Sequence, residues 1–468
     1  MLRGNLEAGP APYGREHSGQ SSQAGPYTWF SSLAFIVLLP ATLAAQGSGP
    51  SPAINAPGVV YGGAVQTPLL FEGERLPTNQ ASLSFAATGF YDDNVFARNI
   101  ERAADEGVSL NPRLYVTRQS DRLSASFDYV PMFVIYRQLS QFDRVNHVSD
   151  LTVVFKVTSH VVLGVHDNFS YTIGNYPLLD QLPLMSGPPS PTGLDQQILV
   201  YSTRVLSNEG GLDLTYAKSQ RMSVKLAAGY NLSRYGQQIA DQPLYNGSGY
   251  SGSLTLEYRE TEHTSLGVLL LHRDTSFEGG QAFGSRLRSQ IESVFFSVGT
   301  RLSPSTSITL FGGPQYIGTV GRLAAGLSVA GHIQGSGGGS LTKEIRHTAL
   351  DLSFQRSVTG NGGWYTSEIS TDAALAVRRR ITGQWEVDLH AGAEQQDASL
   401  FKLANGKTQS LFGGINIRRP LPHDAAFHIS FDSWHQLTKG SLPIYANFDR
   451  NQVAIGIEYR LKTLPLGR

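Results

Sequence analysis

Apolar and polar positions alternate one by one along most of the chain. Val453, Ile455, Ile457, Tyr459 and Leu461 form one face of a segment whose other face is Ala454, Gly456, Glu458 and Arg460. The same pattern runs through Leu123, Ala125, Phe127, Tyr129, Pro131, Phe133 and Ile135, through Leu151, Val153, Phe155 and Val157, and through Val224, Leu226, Ala228, Tyr230 and Leu232. Successive side chains of a strand point to opposite faces, so a period of two predicts strands with one oily and one wet face.

The connections between these strands are of two kinds. Short ones fall at 119–121, 159–160, 219–220, 261–262, 303–305, 345–346, 380–382 and 420–423. Every second connection is longer, at 92–107, 137–146, 174–192, 235–248, 275–287, 317–335, 359–365, 397–407 and 438–449. A soluble sandwich has turns of similar, modest length at both strand ends. Short periplasmic turns with longer outer loops are the pattern of an outer-membrane barrel. One strand at 82–91, eight hairpins and a closing strand at 451–462 give about eighteen strands, an even number that returns both ends to the periplasm. The fold expected is therefore all-β, a transmembrane antiparallel up-and-down β-barrel over 81–468. A sheet in lipid cannot leave its edges unpaired, so the last strand must close on the first.

Composition agrees with this. The 468 residues are 40% hydrophobic and 16% charged, with 50 Gly, 20 Tyr and 22 Phe, which suits one large β domain rather than a disordered chain. Lys+Arg and Asp+Glu are both 37, so bulk charge gives no basic footprint for nucleic acid. The absence of cysteine excludes disulfides, thiolate metal sites and thiol nucleophiles, and suits passage through an oxidising periplasm. No cofactor is expected.

The N-terminal region reads as an export signal over 1–45. An apolar core near Phe30 to Leu39 is followed by a Pro and small residues, with cleavage expected after Ala44 or Ala45. The core is shorter than the roughly 20 residues of a membrane span, and no charge follows directly as a stop-transfer signal requires; a membrane anchor is the alternative. The stretch from Met1 to Tyr27 is long and carries both signs of charge, so the true start is expected downstream of Met1. Residues 46–80 are rich in Pro and Gly and read as an irregular leader, periplasmic or luminal.

Gly456, Tyr459 and Leu461 are similar to the Gly-x-x-aromatic-x-hydrophobic signal that hands outer-membrane proteins to the barrel-assembly machinery. Ala454 stands where that signal usually has a polar residue, and a tail follows from Thr463. At the first strands, "GFYDDNVFARN" (Gly89 to Asn99), "LNPRLYV" (Leu110 to Val116) and "ASFDYVPMFVIYRQLSQFDRVNH" (Ala125 to His147) carry a more specific likeness. With the hairpin series that follows, the chain resembles the outer-membrane β-barrel porin family often encoded with exopolysaccharide or capsule synthesis genes. The resemblance runs from about Leu83 to the end. It implies an outer-membrane barrel serving surface-polysaccharide export or porin-like passage, with outer-membrane lipid around it and a periplasmic polysaccharide-export protein as partner. It implies no catalytic residues.

Three constellations have simpler readings. Gly247 to Gly252 ("GSGYSG") has dinucleotide-loop spacing but lies between strands, without the helix such a loop opens. Asp92, Asp93 and Asn94 could hold a cation, but such residues commonly begin loops by bonding to backbone. His428, Ser430 and Asp432 carry the residue types of a barrel lipid hydrolase, with His428 as base for Ser430. Phe427, Ile429 and Phe431 take the lipid-facing register, which turns the polar three into the lumen and away from acyl chains.

The inward register carries the functional expectation. It includes Arg113, Asp128, His166, Asp213, Lys225, Asp351, Glu368, Asp372, Arg378, Glu386, Asp388, His390, Glu394, Arg418, Asp432, Glu458 and Arg460. A conduit for a strongly anionic polymer should be lined mostly by Arg and Lys, whereas both signs are mixed here. The mixture points to neutral or weakly charged cargo, or to ion-paired walls that stiffen the barrel. Glu368, Asp372, Glu386, Asp388 and Glu394, on two adjacent strands, form the one patch expected to act locally against anions. Three classes follow: a transport barrel, a structural or adhesive barrel with a blocked lumen, and a barrel enzyme.

Overall fold

The structure is a computed structural model that describes residues 79–97, 99, 102–173, 204–236, 246–278, 286–321, 331–359, 368–382, 385–397, 406–440, 447–461 and 463–466. The expected signal peptide at 1–45, the leader up to residue 78 and the connection at 174–192 lie outside the described residues.

Eighteen long strands follow one another: β1 (Gln80–Asp92), β2 (Asp105–Gln119), β3 (Leu123–Tyr136), β4 (Arg144–Lys156), β5 (Val161–Ile173), β6 (Arg204–Ala217), β7 (Met222–Tyr235), β8 (Asn246–Arg259), β9 (Thr264–Glu278), β10 (Arg286–Ser303), β11 (Thr306–Gly321), β12 (His332–Ile345), β13 (Thr348–Thr359), β14 (Glu368–Thr382), β15 (Trp385–Asp397), β16 (Gly406–Leu421), β17 (Ala425–Gly440) and β18 (Phe448–Arg460). Each pairs antiparallel with the next, and β18 pairs antiparallel with β1 from Ser84↔Arg460 to Asp92↔Gln452. The sheet closes on itself as an all-β barrel. A two-residue strand, β19 (Leu464–Pro465), adds to the base of β1 through Ala81↔Leu464 and Gln80↔Pro465, so the tail beyond the aromatic end is tied to the wall.

The two faces have opposite chemistry. On β18, Val453, Ile455, Ile457 and Tyr459 are 45–54% exposed, whereas Gln452 and Ala454 between them are 8% and 6% exposed. Leu212, Leu214 and Tyr216 on β6, Leu226 on β7, Leu310 on β11 and Leu389 on β15 continue the outer apolar surface. The inner register carries Ser, Thr, Gln, Asn and charged residues, and more polar than apolar residues are buried among those described. This is the inverse of a water-soluble protein, whose core is apolar. An oily exterior of this extent is stable only against hydrocarbon.

One connection departs from its expected course. The β1–β2 loop, expected outside with the other long connections, turns inward. Val95 and Ala97 are 3% and 4% exposed, and Ala97 packs in one buried cluster with Ala374, Phe412, Trp434 and Phe448. Those partners are inner residues of β14, β16, β17 and β18, so the loop crosses the inner face of that wall. Val95 joins a second cluster with Phe90, Val134, Tyr136 and Ala454, flanked by Leu139 and Phe142. Apolar side chains at a loop tip gain by leaving water, and inner wall side chains give them a surface to cover.

Candidate functional site

The wall from β14 to β18 is a set of transverse rows set by strand register. One row runs Ala374, Gly392, Phe412, Trp434, Arg450. The Phe412 and Trp434 rings stack with centroids 5.1 Å apart, and the small residues Ala374 and Gly392 leave room beside them. The loop residue Ala97 sits among these side chains. At the end of the row, the Arg450 Nε donates to Asp92 Oδ1 at 3.1 Å and Oδ2 at 3.0 Å, and its Nη2 also donates to Oδ2. The two side chains are 1% and 0% exposed. A bidentate guanidinium–carboxylate pair in so dry a place holds a strong Coulomb attraction that offsets its desolvation.

Backbone and side-chain bonds continue this fastening. The Asp93 carboxylate accepts hydrogen bonds from the Asn451 backbone N–H and side-chain amide, both at 2.7 Å, and from Arg102 at 2.7 Å. Asn94 donates to the Asp449 carbonyl at 2.7 Å, and Asn99 accepts from the Asp449 backbone N–H at 2.9 Å. Burial pushes the Asp93 carboxyl up, but the bonds from Asn451 and Arg102 outweigh it and hold the group below the ordinary 3.8. Asp92, Asp93 and Asn94 thus spend their oxygens on Arg450, Asn451, Arg102 and the loop backbone, including Asn94 N–H to Asp92 Oδ1 at 3.0 Å. Among the described residues no group of His, Asp and Glu has the arrangement of a metal site.

The remaining rows carry ion pairs. The Arg378 Nε lies 2.7 Å from Asp388 and 3.2 Å from Glu386 on the neighbouring strand, and Arg418 reaches Glu458 at 3.0 Å. The His390 Nε2 stands 3.2 Å from Asp432 Oδ1, across the intervening β16. Gly414 on β16 is opposite both residues in register, and a Cβ there would lie 2.6 Å from His390 Cε1. Only glycine lets the two side chains meet over it. The same device recurs at Gly456, which is opposite His428 on one side and Thr88 on the other. The His428 Nε2 and Thr88 Oγ1 are 3.2 Å apart, and a Cβ at Gly456 would lie 2.6 Å from each side chain.

Of the residues expected to line the lumen, Asp372, Glu394 and Asp432 are buried on the inner register. Asp372 and Glu394 are direct register partners, accepting from Ser370 at 2.7 Å and Gln396 at 2.5 Å respectively. Glu386 and Asp388 share Arg378, whereas Asp372 and Glu394 stand opposite each other in register. Glu368 pairs with Thr359 through the backbone, and its side chain lies outside the described residues. Arg460 is exposed at the base of β18. Tyr459 lies on the lipid face and Leu461 follows the strand end, 46% and 39% exposed, whereas Gly456 faces inward. His428 faces Thr88, and with Ser430 and Asp432 it lies on the inner register, as the alternation required.

Sequence reading missed Arg450 and the aromatic pair Phe412 and Trp434. The signal was present: Arg450 continues the inward series Gly456, Ala454, Gln452, but loop residues Asp449 and Asn447 beside it marked the strand as already ended. The signal for Phe412 and Trp434 pointed the wrong way, because an aromatic in such a barrel ordinarily faces lipid.

A closed eighteen-strand barrel, apolar outside on every strand and largely polar inside, is the architecture of outer-membrane proteins. The barrel resides in the outer membrane. No family model matches the chain, and no curated protein sequence matches it. Among solved structures it is similar to the ferric citrate transporter FecA in the unliganded form, with TM-score 0.44 and 10% identity over 82% of this chain and 64% of that one. It is also similar to OccAB4 of Acinetobacter baumannii (TM-score 0.41, 8% identity, 83% and 99%) and the alcaligin outer-membrane receptor FauA of Bordetella pertussis (0.41, 10%, 83% and 77%). The chain spans less than two thirds of the length of FecA. These likenesses concern barrel architecture alone.

Proposed function

We propose that the chain is a porin-like outer-membrane channel whose bore is narrowed from within by the β1–β2 loop, and that it passes neutral or weakly charged saccharides, in the setting of exopolysaccharide export. The observation that carries this reading is the loop seated against the inner wall, with Val95 and Ala97 in apolar clusters and Asp93, Asn94 and Asn99 bonded to β18. A channel that must discriminate needs a constriction lined by fixed charge and hydrogen-bonding groups. Here the loop supplies the narrowing, while the paired charges of Arg378, Arg418 and Arg450 leave little net field to hold a strongly anionic chain. Neutral sugars bind by hydrogen bonding to such polar walls and leave readily. A periplasmic export protein would present the polymer at the short-turn end, and the barrel-assembly machinery would insert the chain through Gly456, Tyr459 and Leu461. No step of this function is enzymatic.

The same loop supports a second reading, a structural barrel whose lumen is shut. Single-channel conductance in planar bilayers separates the two. Replacing residues 95–103 with a short Gly-Ser linker should raise conductance several-fold over a measurable wild-type value. If wild type does not conduct and the variant does, the loop is a plug and the barrel structural. Saccharide passage is tested by liposome swelling with uncharged oligosaccharides against sulfated ones of equal length; equal rates for both would remove the cargo assignment.

A further inference from the structure

Two arginine runs at the short-turn end alternate in direction, and their outward members have a different environment from their inward ones. On β14, Arg378 points inward to Glu386 and Asp388; on β16, Arg418 points inward to Glu458. The next residues, Arg379 and Arg419, take the outward register, opposite the outward Val387 and Phe427. Both are exposed, and among the described residues neither has a carboxylate partner. The Arg419 guanidinium lies over the Trp385 ring at 5.1 Å, and Ile381 beside them is 60% exposed.

We propose that Arg379, Trp385 and Arg419 form a binding site for the phosphate of an anionic phospholipid in the periplasmic leaflet. The short turns place this end of the barrel at the periplasmic face. Ile381 continues the apolar belt to the level where acyl chains begin, and an indole ring prefers the interface just beyond. Long arginine stems lie along apolar surface while their heads reach the headgroup layer. Strands β14 and β16 are two sheet spacings apart, about 10 Å, a gap that two extended guanidiniums close from either side onto one phosphate. The fork of donors on each suits phosphate oxygens, and the stacked Trp385 holds one fork in place. The inward arginines have the same chemistry but are already matched by carboxylates, which leaves the outward pair as the one awaiting an anion. The site is independent of whether the lumen conducts.

Native mass spectrometry of the full-length barrel, released from mixed micelles of phosphatidylglycerol and phosphatidylcholine with equal acyl chains, tests the assignment. Wild type should retain phosphatidylglycerol preferentially, and R379Q/R419Q should lower that retention at least five-fold with phosphatidylcholine unchanged. W385L should give a smaller loss, and R356Q, an exposed arginine on β13 toward the other end, should give none. Heat-modifiable migration on a gel confirms that each variant is folded; if the double variant does not fold, R419Q alone should still lower retention at least two-fold. Unchanged retention in a folded R379Q/R419Q or R419Q protein, or an equal fall in R356Q, would overturn the site. Displacement of the lipid by millimolar inorganic phosphate would overturn the assignment to a lipid.

Discussion

Two walls of the barrel face the same interior and are held together in different ways. From β14 through β18 to β1 the inner residues include, beside the apolar Ala374, Phe412, Trp434 and Phe448, the ionisable Arg378, His390, Asp432, Arg450 and Asp92, tied together by ion pairs across neighbouring strands. From β9 to β13 they include Leu269, Phe295 and Phe311 in one cluster and Ile291, Ile317 and Val358 in another, among buried but uncharged polar residues such as Ser293, Gln315 and Gln355. There the exposed outer positions toward the strand ends are polar, with Arg288 paired to Asp274 and His272 facing Glu292 at 2.5 Å. The β9–β13 wall is held largely by apolar contact, as Phe295 and Phe311 show with rings 5.8 Å apart and 77° inclined. The β14–β1 wall is held also by charged partners, and each partner lost leaves a charge behind. The difference teaches that the loop lies on the wall joined by ion pairs, and that the neighbouring wall, among the described residues, stands without them on its inner face.

The largest effect should come from breaking the driest pair. Arg450→Ala leaves Asp92 charged and without its guanidinium, at a cost of about 3–5 kcal/mol. Urea unfolding in micelles, followed by tryptophan emission, checks this, since Trp434 is the register partner of Arg450. Asp92→Leu with Arg450→Met should recover much of that loss, and if the double variant is no better than Arg450→Ala the wall is not organised by this pair.

On the β9–β13 wall Phe295→Ala should cost about 3 kcal/mol through the cavity it leaves, with ion selectivity unchanged in bilayers. A shift in selectivity there would erase the distinction between the walls.

Neutralising the acidic register pair, with Asp372→Asn and Glu394→Gln, should move the reversal potential toward anions, because it removes two carboxylates that stand opposite each other on the inner register of adjacent strands. Glu386→Gln with Asp388→Asn should also favour anions, but with lower stability, since it strips Arg378 of both carboxylates. The shift should shrink at high salt, where fields reach only a few ångströms.

The smallest effect is one of pH. The Asp93 carboxyl titrates below 3.8 in the folded protein, so its stabilisation is complete above the unfolded value and disappears as pH falls through the folded one. Protease cleavage within 95–103 should stay slow down to about pH 4 and rise below it, and Asp93→Asn should flatten that profile. An acid-stable protease such as pepsin gives the readout.

Closure, strand number and the outward face were legible because period-two alternation and unequal connections follow directly from a barrel in lipid. The inward register was legible wherever the outer face was plainly apolar, and it correctly turned His428, Ser430 and Asp432 inside. It gave way in "LGVLLLHRDTSF", Leu266 to Phe277, where Leu269 and Leu271 inside match Leu266 and Leu270 outside, so both faces read as oily. The acidic patch was legible as a set of positions but not as a field, since register alone does not say that Arg378 reaches across to two of its members. The inward loop left no periodic signal. Its fastening depends on Arg450 and Asn451, which are far away in sequence and become neighbours only through closure.

That distance sets an order of events. Asp92 and Arg450 are separated by 358 positions, and the loop that lies between β1 and β2 is secured by residues of the final strand. Everything between must be threaded before the loop can dock, and contacts of such long range are the slowest to form. The first hairpin is therefore born with its tip unrestrained, and the arrival of β18 performs two acts at once: it joins the seam and bolts it from within.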